Sequence, residues 1–363
     1  MSREARQGEG SYEPGWFHAG PHPALASLGH PSPGGRGSGS ESIVLQMRRA
    51  FLLLLLGFIF LLQSAWVVFT QNAKPPGPLR IEKVRDDLYM ISGEGGNVAV
   101  YVTAEGVVLV DDMFDRNHGD ILARVRSVTE QPIRYVINTH QHDDHAGGDF
   151  KMLPITEVVA HQNARANLEH IKQPYYEDTP GTPIGLPRVT FSDEFTVHLG
   201  GKQVRAKYFG RGHTSGDVII YFPDLKTIHT GDLFLARNPP RAGAPPAPPR
   251  PPGVNIYVDY AQGGSFFDWS RTLDRTLELD FDTVIPGHGP VSSKDDVVKF
   301  RADLVTMRTR LVSLIRDGKT KNDIVNILEA DYGWRAKGCP PSPPTAGCLQ
   351  FQQADSMMAE LSR

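Results

Sequence analysis

Cysteine is nearly missing. Two stand in 363 residues, Cys339 and Cys348, in Gly338-Cys339-Pro340-Pro341 and Gly347-Cys348. Neither has the Cys-x-x-Cys spacing of a thiolate metal site. In an oxidising compartment the pair predicts a disulfide closing a short proline-rich loop, with two free structural thiols as the alternative. Charge of one sign is also lacking. The 38 Lys and Arg nearly balance the 41 Asp and Glu, giving a formal net charge of −3 and no basic stripe. Nothing electrostatic therefore argues for nucleic acid as a partner. Long apolar runs are absent too, with one exception at residues 50–69, broken by Gln63 and Ser64.

That exception organises the N-terminus. Met47-Arg48-Arg49 precedes the run, as at the start of an export signal, and the arginines place that side in the cytoplasm. Residues 47–73 are thus a signal peptide or, since about twenty apolar residues span a bilayer, a membrane anchor. The rest of the chain is then periplasmic or extracellular, free or tied to the inner membrane. Residues 1–46 are rich in Gly, Ser and Pro and cannot bury enough apolar surface to offset their ordering entropy. They are a disordered tail, or Met47 is the true start. Residues 74–78, Lys-Pro-Pro-Gly-Pro, make a linker.

From residue 79 the chain reads as short strands. Residues 81–84, 88–91, 97–102 and 106–110 alternate with turn residues and form an antiparallel meander. It ends in Asp111-Asp112. Asp111 is placed to hold a metal-bound histidine from behind, or simply to cap a turn. A helix over 120–128 and a strand over 133–138 mark a change to β-α-β, which calls for helices on a sheet face. A strand over 157–160 and a helix from Asn163 follow. Residues 173–188 carry four prolines and read as a long loop at the rim of a cleft. Residues 190–191, 195–197 and 204–209 read as a second meander. Strands over 218–222, 227–230 and 283–285 come next.

The densest chemistry lies in Thr139-His140-Gln141-His142-Asp143-Asp144-His145-Ala146-Gly147-Gly148, directly after the 133–138 strand. On an extended backbone His140 and His142 point the same way and can grip one ion. Asp144 and His145 follow the turn and can face a second. Three more motifs repeat the pattern of strand, glycine turn and ligand type: Gly212-His213-Thr214, Thr230-Gly231-Asp232 and Gly287-His288-Gly289. Four strand ends can converge only if their sheets share one edge. His118, His161, His170 and His198 lie outside any such spacing, and His229 reads as structural.

In these motifs and their order, residues 79–292 resemble the metallo-β-lactamase fold superfamily of metallohydrolases. The resemblance implies an α/β fold, an αβ/βα four-layer sandwich with a dinuclear site at one edge. It implies that His140, His142 and His213 hold a first metal, that Asp144, His145 and His288 hold a second, and that Asp232 bridges them. Asp144 would also handle protons and orient the attacking water.

Imidazole and carboxylate ligands suit two Zn2+, and iron or manganese also fit. Zinc lowers the pKa of a bound water toward about 7, so hydroxide can attack a carbonyl without a serine or cysteine nucleophile. The resulting expectation is an exported dinuclear zinc hydrolase that opens a cyclic amide or ester of a small-molecule substrate, as a β-lactamase or lactonase does. The alternatives are a thioester hydrolase of glyoxalase II type and an iron-binding redox protein of the same fold. Asp232 stands where one group of zinc β-lactamases carries cysteine, which favours the glyoxalase II and lactonase members. The export segment favours the β-lactamases.

Residues 237–253 form a Pro-Ala-Arg insertion of polyproline character, overhanging the cleft or lying on the surface. Residues 263–269 lead into a helix through about Leu279 that carries the apolar stripe Trp269, Leu273, Leu277. Residues 293–363 make a C-terminal helical appendage: Ser293 as N-cap of a helix to 316, a second helix from Thr320 to about Ala330, and a last one over 352–361. It shows no catalytic spacing and is expected to pack on the sandwich or support assembly.

Overall fold

Alternate residues of the strands go to opposite covers, and this fixes the layering. In β3 (Val98–Thr103), Val98 and Val100 pack under helices while Ala99 and Tyr101 face a second sheet. Both faces are buried, so the strand reads apolar throughout. In β10 (Ile219–Phe222), Ile219 faces outer helices while Ile220 and Phe222 join Tyr101 between the sheets. The computed structural model describes residues 78–171, 184–236, 256–332 and 354–362. All lie in one unit, Pro76–Arg363.

The first sheet runs β1-β2-β3-β4-β5-β6-β7. Its strands β1 (Arg80–Arg85), β2 (Leu88–Ser92), β3 and β4 (Gly106–Val110) form an antiparallel meander, as expected. From β4 onward the pairing with β5 (Ile133–Ile137), β6 (Glu157–His161) and β7 (Val189–Phe191) is parallel. The crossovers contain α1 (His118–Arg126), the short α2 (Asp143–Ala146) and α3 (Asp149–Met152), and α4 (Gln162–His170).

The second sheet runs β13-β12-β11-β10-β9-β8. It comprises β8 (Glu194–Leu199), β9 (Lys202–Lys207), β10, β11 (Thr227–His229), β12 (Thr283–Ile285) and β13 (Ser292–Ser293). Only β11 and β12 are parallel neighbours. Its outer face is covered by α5 (Phe266–Leu277), α6 (Lys294–Arg316), α7 (Lys321–Tyr332) and α8 (Ala354–Leu361) around buried Trp269, Leu273, Leu304 and Met357. The four layers and the helical appendage match the expected class. Ser293 caps α6 as its sequence implies, with its hydroxyl accepting from Asp296 N–H and the Asp296 carboxylate accepting from Ser293 N–H.

One strand joins the other sheet. Residues 190–191 do not start the second meander but form β7, paired with β6 through Val159 and Val189. Phe191 enters the core between the sheets, and the chain crosses over only at Ser192-Asp193. Three residues are too few to show which sheet they pair with.

No helix among the described residues is long and apolar enough to cross a membrane. The 50–69 run, the 237–253 insertion, most of the 173–188 loop and both cysteines lie outside the described residues.

Candidate metal centre

The two sheets meet at one edge, where strand ends deliver potential ligands. The turn after β5 carries His140, His142, Asp144 and His145. His213 lies between β9 and β10, Asp232 follows β11, and His288 follows β12. Three sets place one ligand atom per residue within 4.8 Å of one another: His140, His142, His213; His140, His145, Asp232; and Asp144, His145, His288. All seven predicted ligands fall in these sets. His118, His161, His170, His198 and His229 fall in none.

The remaining ring nitrogens are fixed from behind. Asp111, buried just past β4, accepts from Thr139 N–H at 2.7 Å, from Thr139 Oγ1 at 2.8 Å and from His145 Nδ1 at 2.8 Å. To do so it adopts φ 63°, a strained value for a residue with a side chain. Of the two roles open to Asp111 on sequence, it fills the supporting one. Thr139 has given its proton to Asp111, so the 3.1 Å contact from His140 Nδ1 makes that nitrogen the donor. His140 Nε2 is left buried without a hydrogen-bond partner. His213 Nδ1 donates to the Tyr257 carbonyl at 2.7 Å, and His142 Nε2 to Asp259 at 3.0 Å. Holding one imidazole nitrogen to an acceptor directs the other, with its lone pair, at an ion.

The free atoms therefore face one another. His142 Nδ1 and His213 Nε2 lie 2.8 Å apart, and two lone pairs at that distance repel unless a positive charge sits between them. His145 Nε2 is 3.3 Å from His288 Nε2 and 3.1 Å from Asp232 Oδ1. His288 Nε2 is 3.1 Å from Asp144 and 3.4 Å from Asp232 Oδ1. The edge of a ligand tetrahedron with zinc–ligand bonds of about 2.0–2.1 Å is roughly 3.3 Å. Asp232 Oδ2 reaches toward His213 at 3.6 Å, so this carboxylate stands between the two groups. The donor set and its spacing fit metal ions.

The charges of these buried groups polarise the cluster. Burial, then His145, hold His140 well below the usual imidazole range. Burial, then His142, press His213 down to about 4. Burial opposes the charge on His145, but Asp144, Asp232 and Asp111 overcome it and raise this imidazole. Burial acts against Asp144 as well, yet His145 and His288 bring it down to about 2. Carboxylates and imidazoles alternate, which is how unlike charges are held in a dry site.

Two glycines allow the close packing. A Cβ on Gly96 would strike the His145 ring, and one on Gly287 would strike Asp232 Oδ1. Among the described residues the cluster is most exposed at His288 and Asp144, with side-chain exposure of 36% and 24% against 0% at His145.

The model of the metallo-beta-lactamase superfamily matches residues 91–288, more than half the chain. The chain belongs to the metallo-β-lactamase superfamily. As a member it is a metal-dependent hydrolase. It is 27% identical over 217 residues to a metallo-beta-lactamase type 2 of Bacillus cereus, covering 58% of this chain and 74% of that one. It is 23% identical over 273 residues to a beta-lactamase-like protein 2 homolog of Caenorhabditis elegans, covering 71% and 81%. The solved metallo-beta-lactamase from Pontibacter korlensis superposes with a TM-score of 0.50 at 20% identity, covering 62% of this chain and 99% of that one.

Several supports of this superfamily site carry little signal in sequence. Asp259 follows the proline-rich insertion in Tyr257-Val258-Asp259-Tyr260, with no histidine or glycine turn beside it to mark it. The Tyr257 carbonyl carries no residue-type signal at all. His229, read as structural, donates through Nε2 to the Asn97 carbonyl at 2.9 Å and accepts from Gly231 N–H at 3.1 Å. It thereby ties the Asp232 turn to the start of β3.

Beneath the ligand loop lies a buried acid pair. Asp112 accepts from Gly148 N–H at 2.9 Å, and Asp149 accepts from Asn138 Nδ2 at 2.6 Å. Burial, then the charge of the neighbouring Asp149, hold Asp112 well above the usual carboxylate range. Burial pushes Asp149 up to about 8, against the pull of Asn138 and Asp112. An unfolded aspartate titrates near about 4. A raised folded value means that the stability from this group is whole below about pH 4 and is lost as pH rises through about 8. Asp149→Asn keeps the acceptor for Asn138 and removes the charge. Its unfolding free energy should lose that decline, as urea titrations at about pH 5 and about pH 9 would read. Parallel declines in both proteins would show that Asp149 is ionised in the fold.

Proposed function

We propose that the chain is an exported dinuclear zinc hydrolase that opens the ring of a cyclic amide or ester. The observation that carries this reading is the pair of ligand groups joined through Asp232, most exposed at Asp144 and His288. In this reading His140, His142 and His213 hold one ion, and Asp144, His145 and His288 the other. When bound, the ions would supply Lewis acidity and a water acidic enough to ionise near neutral pH.

The chain's own residues do the rest. Thr139 and Thr214, the hydroxyls beside the ligands, donate to Asp111 at 2.8 Å and to Asp217 at 2.5 Å, so neither is poised as a nucleophile. Water is then the attacking group. Asp144 lies on the more exposed side and is held ionised, so it can orient that water and accept its proton. Asp232, more buried, keeps the two ligand groups in register. Resemblance to relatives named metallo-beta-lactamase supports a β-lactam or related lactone as substrate. Export rests on Met47-Arg48-Arg49 and the apolar run after it, and would place the enzyme beyond the inner membrane as a cleaved or anchored protein.

A chelator should abolish hydrolysis across a panel of chromogenic β-lactam, lactone and thioester substrates, and added zinc should restore it. Elemental analysis of the native protein is expected to give two zinc ions per chain. A zinc-loaded protein inert toward the whole panel would overturn the reading. A coloured protein rich in iron would favour the redox alternative.

A further inference from the structure

Asp259 and Gln262 belong to a loop, residues 259–265, that touches both histidine turns. Asp259 holds His142, Gln262 Oε1 accepts from Gln141 Nε2 at 2.6 Å, and Asp259 N–H donates to the His213 carbonyl at 2.8 Å. Ser265 N–H donates to the Gly212 carbonyl at 2.8 Å. The His140–His142 turn and the His213 turn come from different sheets, and this loop spans them.

Both ends of the loop are gripped by one side chain from the C-terminal appendage. Glu360, on α8, accepts from Tyr260 OH at 2.9 Å, Ser265 Oγ at 2.5 Å, Phe266 N–H at 3.1 Å and Phe267 N–H at 3.3 Å. A carboxylate accepting four hydrogen bonds is a rigid anchor, and two of these come from the first turn of α5, whose dipole favours negative charge there. Around it, Met357 and Leu361 bury themselves in the core formed by Phe266 and Trp269. The appendage thus docks where the loop needs holding.

We propose that Glu360 is a positioning residue for the first metal group, acting through Tyr260 and Ser265 on Asp259 and so on His142. It touches no reacting atom. The proposal rests on the metal-centre reading above. It assigns α8, which carries no catalytic spacing, to the upkeep of a site far from it in sequence. Residues that orient metal ligands typically govern about 10- to 100-fold in affinity, and Glu360 acts one step further out, so about 3- to 10-fold is expected.

The test uses the full chain with zinc alone as the probe, in competition with a chromophoric chelator, and cobalt substitution for a spectrum. Glu360→Ala should weaken zinc binding by that factor and shift the cobalt bands. Glu360→Gln, close in shape, should recover part of both, and Tyr260→Phe should show a smaller loss in the same direction. Unfolding of the metal-free proteins is followed in parallel. If the variants lose stability while zinc affinity and the cobalt spectrum stay as in the wild type, Glu360 merely caps a helix and the proposal fails. A wild-type chain that takes up no zinc sinks the metal-centre reading itself.

Discussion

Asp232→Asn should lose metal and hydrolysis together. The substitution keeps size and shape but replaces one carboxylate oxygen with an amide NH2, which cannot bind a cation. Asp232 is the only carboxylate among the seven that faces both groups, at 3.1 Å and 3.4 Å from His145 and His288 through one oxygen and 3.6 Å from His213 through the other. In the proposed centre, losing it removes the carboxylate that stands between the two groups and also the negative charge that offsets the surrounding imidazoles. Metal ions contribute several kcal/mol to such reactions, so a fall in kcat/KM on the order of 10²- to 10⁴-fold is expected, with less than the wild-type metal content after dialysis. Circular dichroism would check that the fold persists. Full metal content with unchanged kcat/KM would remove Asp232 from the centre.

Trp269→Ala should be the most destabilising single change in the outer core. The indole is fully buried against Phe300, at a ring separation of 6.2 Å, and its Nε1–H donates to the Leu233 carbonyl at 3.0 Å. Truncation leaves a cavity and an unpaired carbonyl, costing about 3–5 kcal/mol. Urea unfolding with a chelator present isolates this from metal effects, and Trp269→Phe, which loses only the hydrogen bond and part of the volume, should cost clearly less. The damage should spread to the centre, because Leu233 follows Asp232 and Gly212 lies against the indole beside His213. Equal stability of Trp269→Ala and wild type would mean that the α5 stripe is not core.

The parts of the fold legible in sequence are those where pattern and environment coincide. The apolar run over β3 and β4, the Ser293 cap and the Trp269 stripe each report a local cause that tertiary structure preserves. The His140 to His145 cluster is visible because its members are sequence neighbours. His213, Asp232 and His288 lie far apart in sequence, and the repeated pattern of strand, glycine turn and ligand type is what relates them. Asp259 and Glu360 had no such guide. Their roles come from hydrogen bonds between elements that sequence does not relate, and Glu360 in particular reads as an ordinary charge on a short helix. The short helices α2 and α3 are similarly hidden, since four residues give no period.

The ligand turns belong to separate halves of the sandwich: four of the seven side chains follow β5 in one sheet, and three follow β9, β11 and β12 in the other. A cation seated there would work as a clasp. Opening of this seam would then be governed by free cation concentration through mass action. Resistance to proteases and catalytic competence would rise and fall on the same binding curve.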